Sequence, residues 1–269
     1  MDDRPIGIFD SGLGGLTALK ELEQLLPQES IVYFGDTGRV PYGTRSRETI
    51  RRYAAQDMAF LMEHGVKAVL AACGTVSSTA GDIGQKLPVP YFDVIGPAAR
   101  AAAARTQNKK VGVIGTSATI HSDSYRQALL ALDYRLEVYP QACPLFVPLV
   151  ENAFISPQEE VTRLVAQRYL GPIREAGVDT LILGCTHYPI ISPIIGSVMG
   201  RGVALIDPGK EAALALAGTL QGEGLLCREG RPRSSSYFVT DEPESFTSVA
   251  ELFLGHSVQG RVERVDVGS

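Results

Sequence analysis

Residues 66–78 read VKAVLAACGTVSS. An apolar run stops at Cys73, and small, hydroxylic residues follow, the pattern of a buried strand's end. The same ending recurs at residues 178–189, VDTLILGCTHYP, where another apolar run stops at Cys185 and Thr186 follows. Outward from the first of these, PIGIFD reads as a strand, and GGLTALKELEQLLP has helical spacing and ends at a proline. SIVYFGD is a second strand, and SRETIRRYAAQDMAFLMEHG is an amphipathic helix with Gly65 as its stop. With VKAVLAAC as the third strand, this βαβαβ order predicts a parallel sheet with helices on both faces.

The order then restarts. KKVGVIGTSAT is a strand running into a small-residue turn, SDSYRQALLAL a helix and RLEVYPQA a strand. SPQEEVTRLVAQRYLGPIREAG is a long helix, with Ser156 as N-cap and Glu159 as the return partner of a capping box. IGIFDSG resembles VGVIGTS, and AVLAACGT resembles TLILGCTH. The prediction is an α/β protein of two similar domains, each a mostly parallel sheet flanked by helices, with the active site in the cleft between them. Residues 1–95 plus 208–269 form the first, with a C-terminal tail returning to it, and 96–207 form the second. A polar Gly/Arg/Ser-rich loop is expected over residues 222–236, followed by one more strand and helix in SYFVTDEPESFTSVAELFLG.

The 269 residues suffice for roughly two domains of about 150 residues. Hydrophobic residues at 45% and charged residues at 20% are ordinary for a globular chain. Thirty acidic against 25 basic side chains give a net charge of -5, and no Lys/Arg cluster could follow a phosphate backbone, so nucleic acid is not an expected partner. No apolar segment is long enough to span a membrane. The start, MDDRPIGIFD, is acidic where a signal peptide needs a basic region, so the expected location is the cytoplasm. The four cysteines (Cys73, Cys143, Cys185 and Cys227) and the four histidines are scattered, which predicts neither a disulfide framework nor a metal site.

In parallel α/β sheets ligands bind beyond the carboxyl ends of the strands. The candidates there are Asp10 and Ser11; Asp36 and Thr37; Cys73, Gly74 and Thr75; Thr116 to Thr119; and Cys185, Thr186 and His187. A single strand-end cysteine is more often a small buried hydrophobe. Two in rhyming places point to chemistry, because a thiol with a reference pKa of about 8.5 becomes a usable base near a helix N-terminus or a proton acceptor. Two thiols flanking one ligand suit proton removal from one face of a carbon and delivery to the other. They equally suit a thiol nucleophile with a resolving thiol. Asp10 with the glycines of FDSGLGG is a turn at a helix start, where backbone N–H groups stabilise an anion. GRVPYGTR is a turn whose Tyr42 and Gly43 could close over a ligand. His187 is a candidate acid/base partner of Cys185. Glu151, ending FVPLVE, reads from sequence as a surface acid at an element boundary.

These motifs resemble the glutamate racemases, within the cofactor-independent aspartate/glutamate racemase superfamily. The segments IGIFDSGLGGLTALKEL, VYFGDTGRVPYGTRSRETI, VLAACGTVSS, VGVIGTSATIHSDSYR, CPLFVPLVE, DTLILGCTHYP and YFVT occur in the family's order across nearly the whole chain. The resemblance implies that Cys73 and Cys185 are the two acid/base residues, one on each face of the α-carbon, with Asp10 and His187 assisting them and Asp36 and Glu151 in support. It implies that Asp10, Ser11, Pro41, Tyr42 and Gly43, with Gly74, Thr75, Thr116, Thr119 and Thr186, hold the substrate. It further implies no cofactor, glutamate as the small-molecule substrate, a homodimer, and a supply of D-glutamate for peptidoglycan. Without a cofactor to delocalise the carbanion, positioning and hydrogen bonds that strengthen as charge develops must carry the reaction.

One position departs from the pattern. The family usually reads Cys-Asn-Thr where this chain reads Cys73-Gly74-Thr75. The lost amide raises two alternatives: a racemase for aspartate or a related acidic amino acid, and a racemase-like binding or regulatory protein with little turnover. An asparagine restored at 74 is expected to raise glutamate affinity if the amide matters, or to change nothing if another group has replaced it.

Overall fold

The computed structural model describes residues 1–230, 233–258 and 260–268. Along the first part run β1 (Ile6–Asp10), α1 (Leu16–Leu25), β2 (Ile31–Gly35), α2 (Arg47–Glu63), β3 (Ala68–Ala71), α3 (Gly74–Gly84), β4 (Tyr91–Asp93) and α4 (Ile95–Arg105). Then come β5 (Lys110–Gly115), α5 (Ser117–His121), α6 (Ser124–Leu132), β6 (Glu137–Ala142), α7 (Phe146–Glu151), α8 (Glu160–Glu175), β7 (Thr180–Leu183), α9 (Ser192–Met199) and β8 (Ala204–Ile206). The chain ends with α10 (Pro208–Gly222), β9 (Ser235–Val239), α11 (Pro243–Leu254) and β10 (Val262–Arg264).

Two sheets result, with strand orders β10-β9-β2-β1-β3-β4 and β6-β5-β7-β8. Every described pairing is parallel. The segment β2-β1-β3-β4 has the same order as β6-β5-β7-β8, so the internal rhyme of the sequence is a rhyme of topology. β1, β2, β3 and β7 are buried along their whole length, because helices cover both faces of each sheet, which is why they read as apolar runs without alternation. β6 carries Pro140 and is half exposed; it is an edge strand, where a missing N–H costs no ladder bond.

One apolar core runs from the inner face of the first sheet (Ile6, Ile8, Leu70) through α1 and α10 to the inner face of the second (Leu181, Leu183). Separate clusters fill the other face of each sheet. Parallel register then sets the chemistry-bearing ends side by side. Asp10 stands opposite Gly35 and Phe9 opposite Ala71, so the chain leaves β1, β2 and β3 at one edge. Gly115 stands opposite Ala142 and Ile114 opposite Leu183, which does the same for the second sheet.

Two local readings are corrected. Helix α8 starts at Glu160, and its N-cap is Glu159, whose carboxylate accepts from Val161 N; Ser156 instead closes the preceding turn through Glu159 N. The proline after Ser156 favours that extra turn over an immediate helix start. The residues after Cys73 form α3 directly, a helix absent from the sequence expectation. Arg231 and Pro232, inside the loop expected over 222–236, lie outside the described residues.

Candidate active site

Cys73 and Cys185 both line one pocket of about 360 Å³, walled by strand ends of both sheets. Ser11, Pro41, Tyr42, Gly43, Gly74, Thr75, Thr116, Thr186, His187 and Glu151 line it with them. Three candidates stand behind the wall. Asp10 is fully buried under the β1 turn, Asp36 is buried behind Tyr42, and Thr119 backs Thr116 through a 3.0 Å hydroxyl contact.

On the first side, Cys73 is the N-cap of α3, so its sulfur sits at the positive end of a helix. Its Sγ donates to Ser11 Oγ at 3.4 Å. Burial nonetheless pushes the thiol up to about 12, the charge of Asp10 adding to the effect and hydrogen bonds from Ser11 and the Val76 backbone opposing it. Asp10 Oδ2 accepts from Gly12 N at 2.8 Å, while Oδ1 has no partner among the described residues. Burial raises the Asp10 carboxyl from its ordinary value, against the opposing pull of His187 and of backbone N–H groups.

On the second side, His187 Nδ1 lies 3.9 Å from Cys185 Sγ, and Nε2 lies 3.0 Å from Glu151 Oε1. Burial works against the imidazolium, but hydrogen bonds and charge from Cys185 and Glu151 outweigh it and lift His187 to about 10. The ring therefore holds a proton near neutral pH, in contact with the Cys185 sulfur. The Glu151 side chain is 38% exposed, so this chain of groups reaches the solvent.

The wall formed by the Pro41–Gly43 turn is held from below. The Tyr42 hydroxyl lies between Asp36 and Asp57, donating to Asp36 in a short contact and lying 3.1 Å from Asp57. Arg39 bridges the same two acids, at 2.6 Å to Asp36 and 3.0 Å to Asp57. Thr240, after β9, donates to Asp36 Oδ1 at 2.8 Å. Burial holds Asp57 well above the usual carboxylate range, with the neighbouring Asp36 adding to the effect and Arg39 opposing it. The turn carrying Pro41, Tyr42 and Gly43 thus rests on a closed polar network. Across the cleft, Thr75 Oγ1 lies 3.1 Å from Thr116 Oγ1, and Thr17 Oγ1 donates to Thr186 O at 3.1 Å.

Two glycines permit this approach. A Cβ on Gly14 would collide with Thr186 Oγ1 and the His187 ring. A Cβ on Gly74 would meet the Gly184 carbonyl oxygen at 2.5 Å. An asparagine at 74 therefore cannot simply add its amide: the two strand ends must move apart first. Neither of the two outcomes expected from the sequence allows for that backbone contact.

The sequence reading missed Pro144, Val147 and Pro148, which line the pocket with Glu151. Val147, Pro148 and Glu151 have the i, i+1, i+4 spacing of one face of α7, and Pro144 lies in the turn before it. It also missed Arg39 and Asp57; an aspartate on the apolar stripe of α2, among Ile50, Ala54, Met58 and Leu61, was the available signal.

A family model for Asp/Glu/hydantoin racemases matches residues 13–216. A glutamate racemase of Geobacter metallireducens is 47% identical over 253 residues, 94% of this chain and 93% of that protein. The crystal structure of a Francisella tularensis glutamate racemase in complex with D-glutamate superposes with a TM-score of 0.92 at 42% identity, covering 99% of each chain. A glutamate racemase isoform of Bacillus anthracis gives a TM-score of 0.94 at 37% identity over 99% of this chain and 98% of that one.

Proposed function

This chain belongs to the Asp/Glu/hydantoin racemase family, and from that premise we propose that it is a glutamate racemase. One thiol removes the α-proton from one face of glutamate and the other returns a proton to the opposite face. The observation that carries the reading is the pair Cys73 and Cys185. They follow the equivalent strands β3 and β7 and line one pocket from two sheets.

In the free enzyme Cys73 holds its proton, and His187 holds one beside Cys185. The His187 ring faces Cys185 and is placed to stabilise negative charge that develops on that sulfur. When Cys185 takes the α-proton, Cys73 delivers its own from the opposite side. The reverse reaction starts with Cys73 as thiolate, stabilised by Ser11 and the N-terminus of α3. As the carbanion forms, charge moves onto the α-carboxylate, and Thr75, Thr186 and the N–H groups at the strand ends are placed to stabilise it. Ser11 and the Pro41–Gly43 turn receive the side-chain carboxylate, with Asp36 holding Tyr42. Thr119 fixes the Thr116 hydroxyl, and the apolar face of α7 keeps water from the α-carbon.

The proposal includes the division into 1–95 plus 208–269 and 96–207, supported by α4 packing on the second sheet and α10 packing on α1. It also includes a homodimer, D-glutamate supply for peptidoglycan and a cytoplasmic location. No helix among the described residues is long and apolar enough to cross a membrane. The test is purified protein with L- or D-glutamate in deuterated water, followed by polarimetry and α-proton NMR. Decay of rotation with deuterium entering the product enantiomer is expected. Retention of both rotation and α-proton rejects the reading, and a higher kcat/KM for aspartate moves it to that substrate.

A further inference from the structure

A second cleft, of about 650 Å³, opens beside the catalytic pocket and shares Gly43, Thr44 and Ser117 with it. Its first wall is the start of α2, with Arg45 and Arg47; its second is α5 and the start of α6, with His121. Ser124 Oγ donates to Ser78 O at 3.0 Å across the gap, so the cleft spans both halves of the molecule.

The charge in this cleft is one-sided. No carboxylate among the described residues lines it. The nearby arginines are engaged: Arg39 with Asp36 and Asp57, and Arg51 with Asp82. Arg45 and Arg47 are exposed and have no ion pair among the described residues. Of the acids close in sequence, Asp123 is paired with Arg126, and Glu48 lies outside the lining. Arg47 is also the first residue of a 17-residue helix, whose N-terminal dipole adds to the positive field.

A chain with net charge -5 repels a dicarboxylate at long range, and a local positive cleft at the pocket mouth reverses that field where it matters. We infer that this cleft is an anion-capture site, holding the acidic amino acid by its carboxylates before it passes over Gly43 and Thr44 into the catalytic pocket. The inference rests on the racemase reading above, but anion binding in the cleft can be measured without turnover.

The test is the double substitution Arg45→Gln/Arg47→Gln in the full chain. Both side chains are exposed, and the melting temperature is expected to stay at the wild-type value. Glutarate, a dicarboxylate with no α-amino group and no stereocentre, is titrated while the His121 imidazole signals are followed by NMR. These signals should shift in the wild type, with affinity about tenfold weaker or lost in the double variant. Racemisation should keep its kcat. At low ionic strength kcat/KM should fall about five- to tenfold, and its decline between about 20 and 300 mM salt should flatten. An unmoved His121 in the wild type, equal glutarate affinity in the variant, or an unchanged kcat/KM and salt slope each overturns the capture site. A wild type that binds glutarate at His121 but never racemises glutamate overturns the catalytic reading and leaves the anion site standing.

Discussion

The Cys73 side and the Cys185 side of the pocket descend from the same strand pattern and differ in how each handles a proton. Cys73 has a buried carboxyl beneath it, a hydroxyl beside it and a helix N-terminus in front, and burial dominates. Cys185 has a histidine at 3.9 Å, itself tied to a half-exposed carboxylate. Topology repeats, but the surroundings of the two sulfurs do not. The two-thiol proposal needs one sulfur to carry a proton while the other accepts one, and two identical half-sites would give no reason for the proton to reside on either. In the proposed mechanism, burial is what keeps the proton on Cys73.

The largest effect tests the pairing itself. Cys73→Ala and Cys185→Ala should each cost about 10³-fold or more in racemisation, measured by polarimetry. Activity within tenfold of wild type in either variant would break the two-thiol comparison.

Next come the neighbours. His187→Gln should lower kcat/KM by about 10² and Asp10→Asn by about tenfold. Enantiomers have equal free energy, so the loss in kcat/KM must be the same in both directions. The asymmetry shows instead in the primary deuterium isotope effect. His187→Gln should raise it for one enantiomer and Asp10→Asn for the other; the same enantiomer responding to both would contradict the division of labour.

Gly74→Asn should destabilise by about 1–3 kcal/mol in denaturant unfolding, because the new Cβ presses on the Gly184 carbonyl. Turnover should fall as the thiols are held apart. Unchanged stability with a gain in glutamate affinity would restore the lost-amide interpretation.

The smallest effect is a pH slope. His187 rises from 6.5 to about 10 on folding. Its contribution is full below pH 6.5, where both states are protonated. It declines as pH rises, because the unfolded state releases a proton the native state keeps, and it is gone above about 10. The difference in unfolding free energy between wild type and His187→Gln should therefore shrink over that window. A difference growing with pH would reverse the assignment of the charged ring.

Much of this architecture was legible because its information is local. A strand covered on both faces must be apolar throughout, and the residue at its carboxyl end must meet the ligand edge, so Cys73, Cys185 and their hydroxylic neighbours could be read from short segments. β4 and β10 were missed because three residues carry no period. α3 was missed because GTVSSTAG is small and hydroxylic, without a clear helical period, and the packed strand end in front of it decides for helix.

The sequence by itself determined two rhyming parallel sheets and placed two thiols at corresponding strand ends, since hydrophobic period and strand polarity act within a few residues. Only the tertiary structure decided that His187 meets Glu151 from 36 positions away and that Asp36 and Asp57 share Arg39. It also decided that Gly74 touches Gly184 and that burial leaves Cys73 protonated. Desolvation and backbone clash depend on how closely the two halves approach, and that distance is set by the packing of the whole core rather than by any segment.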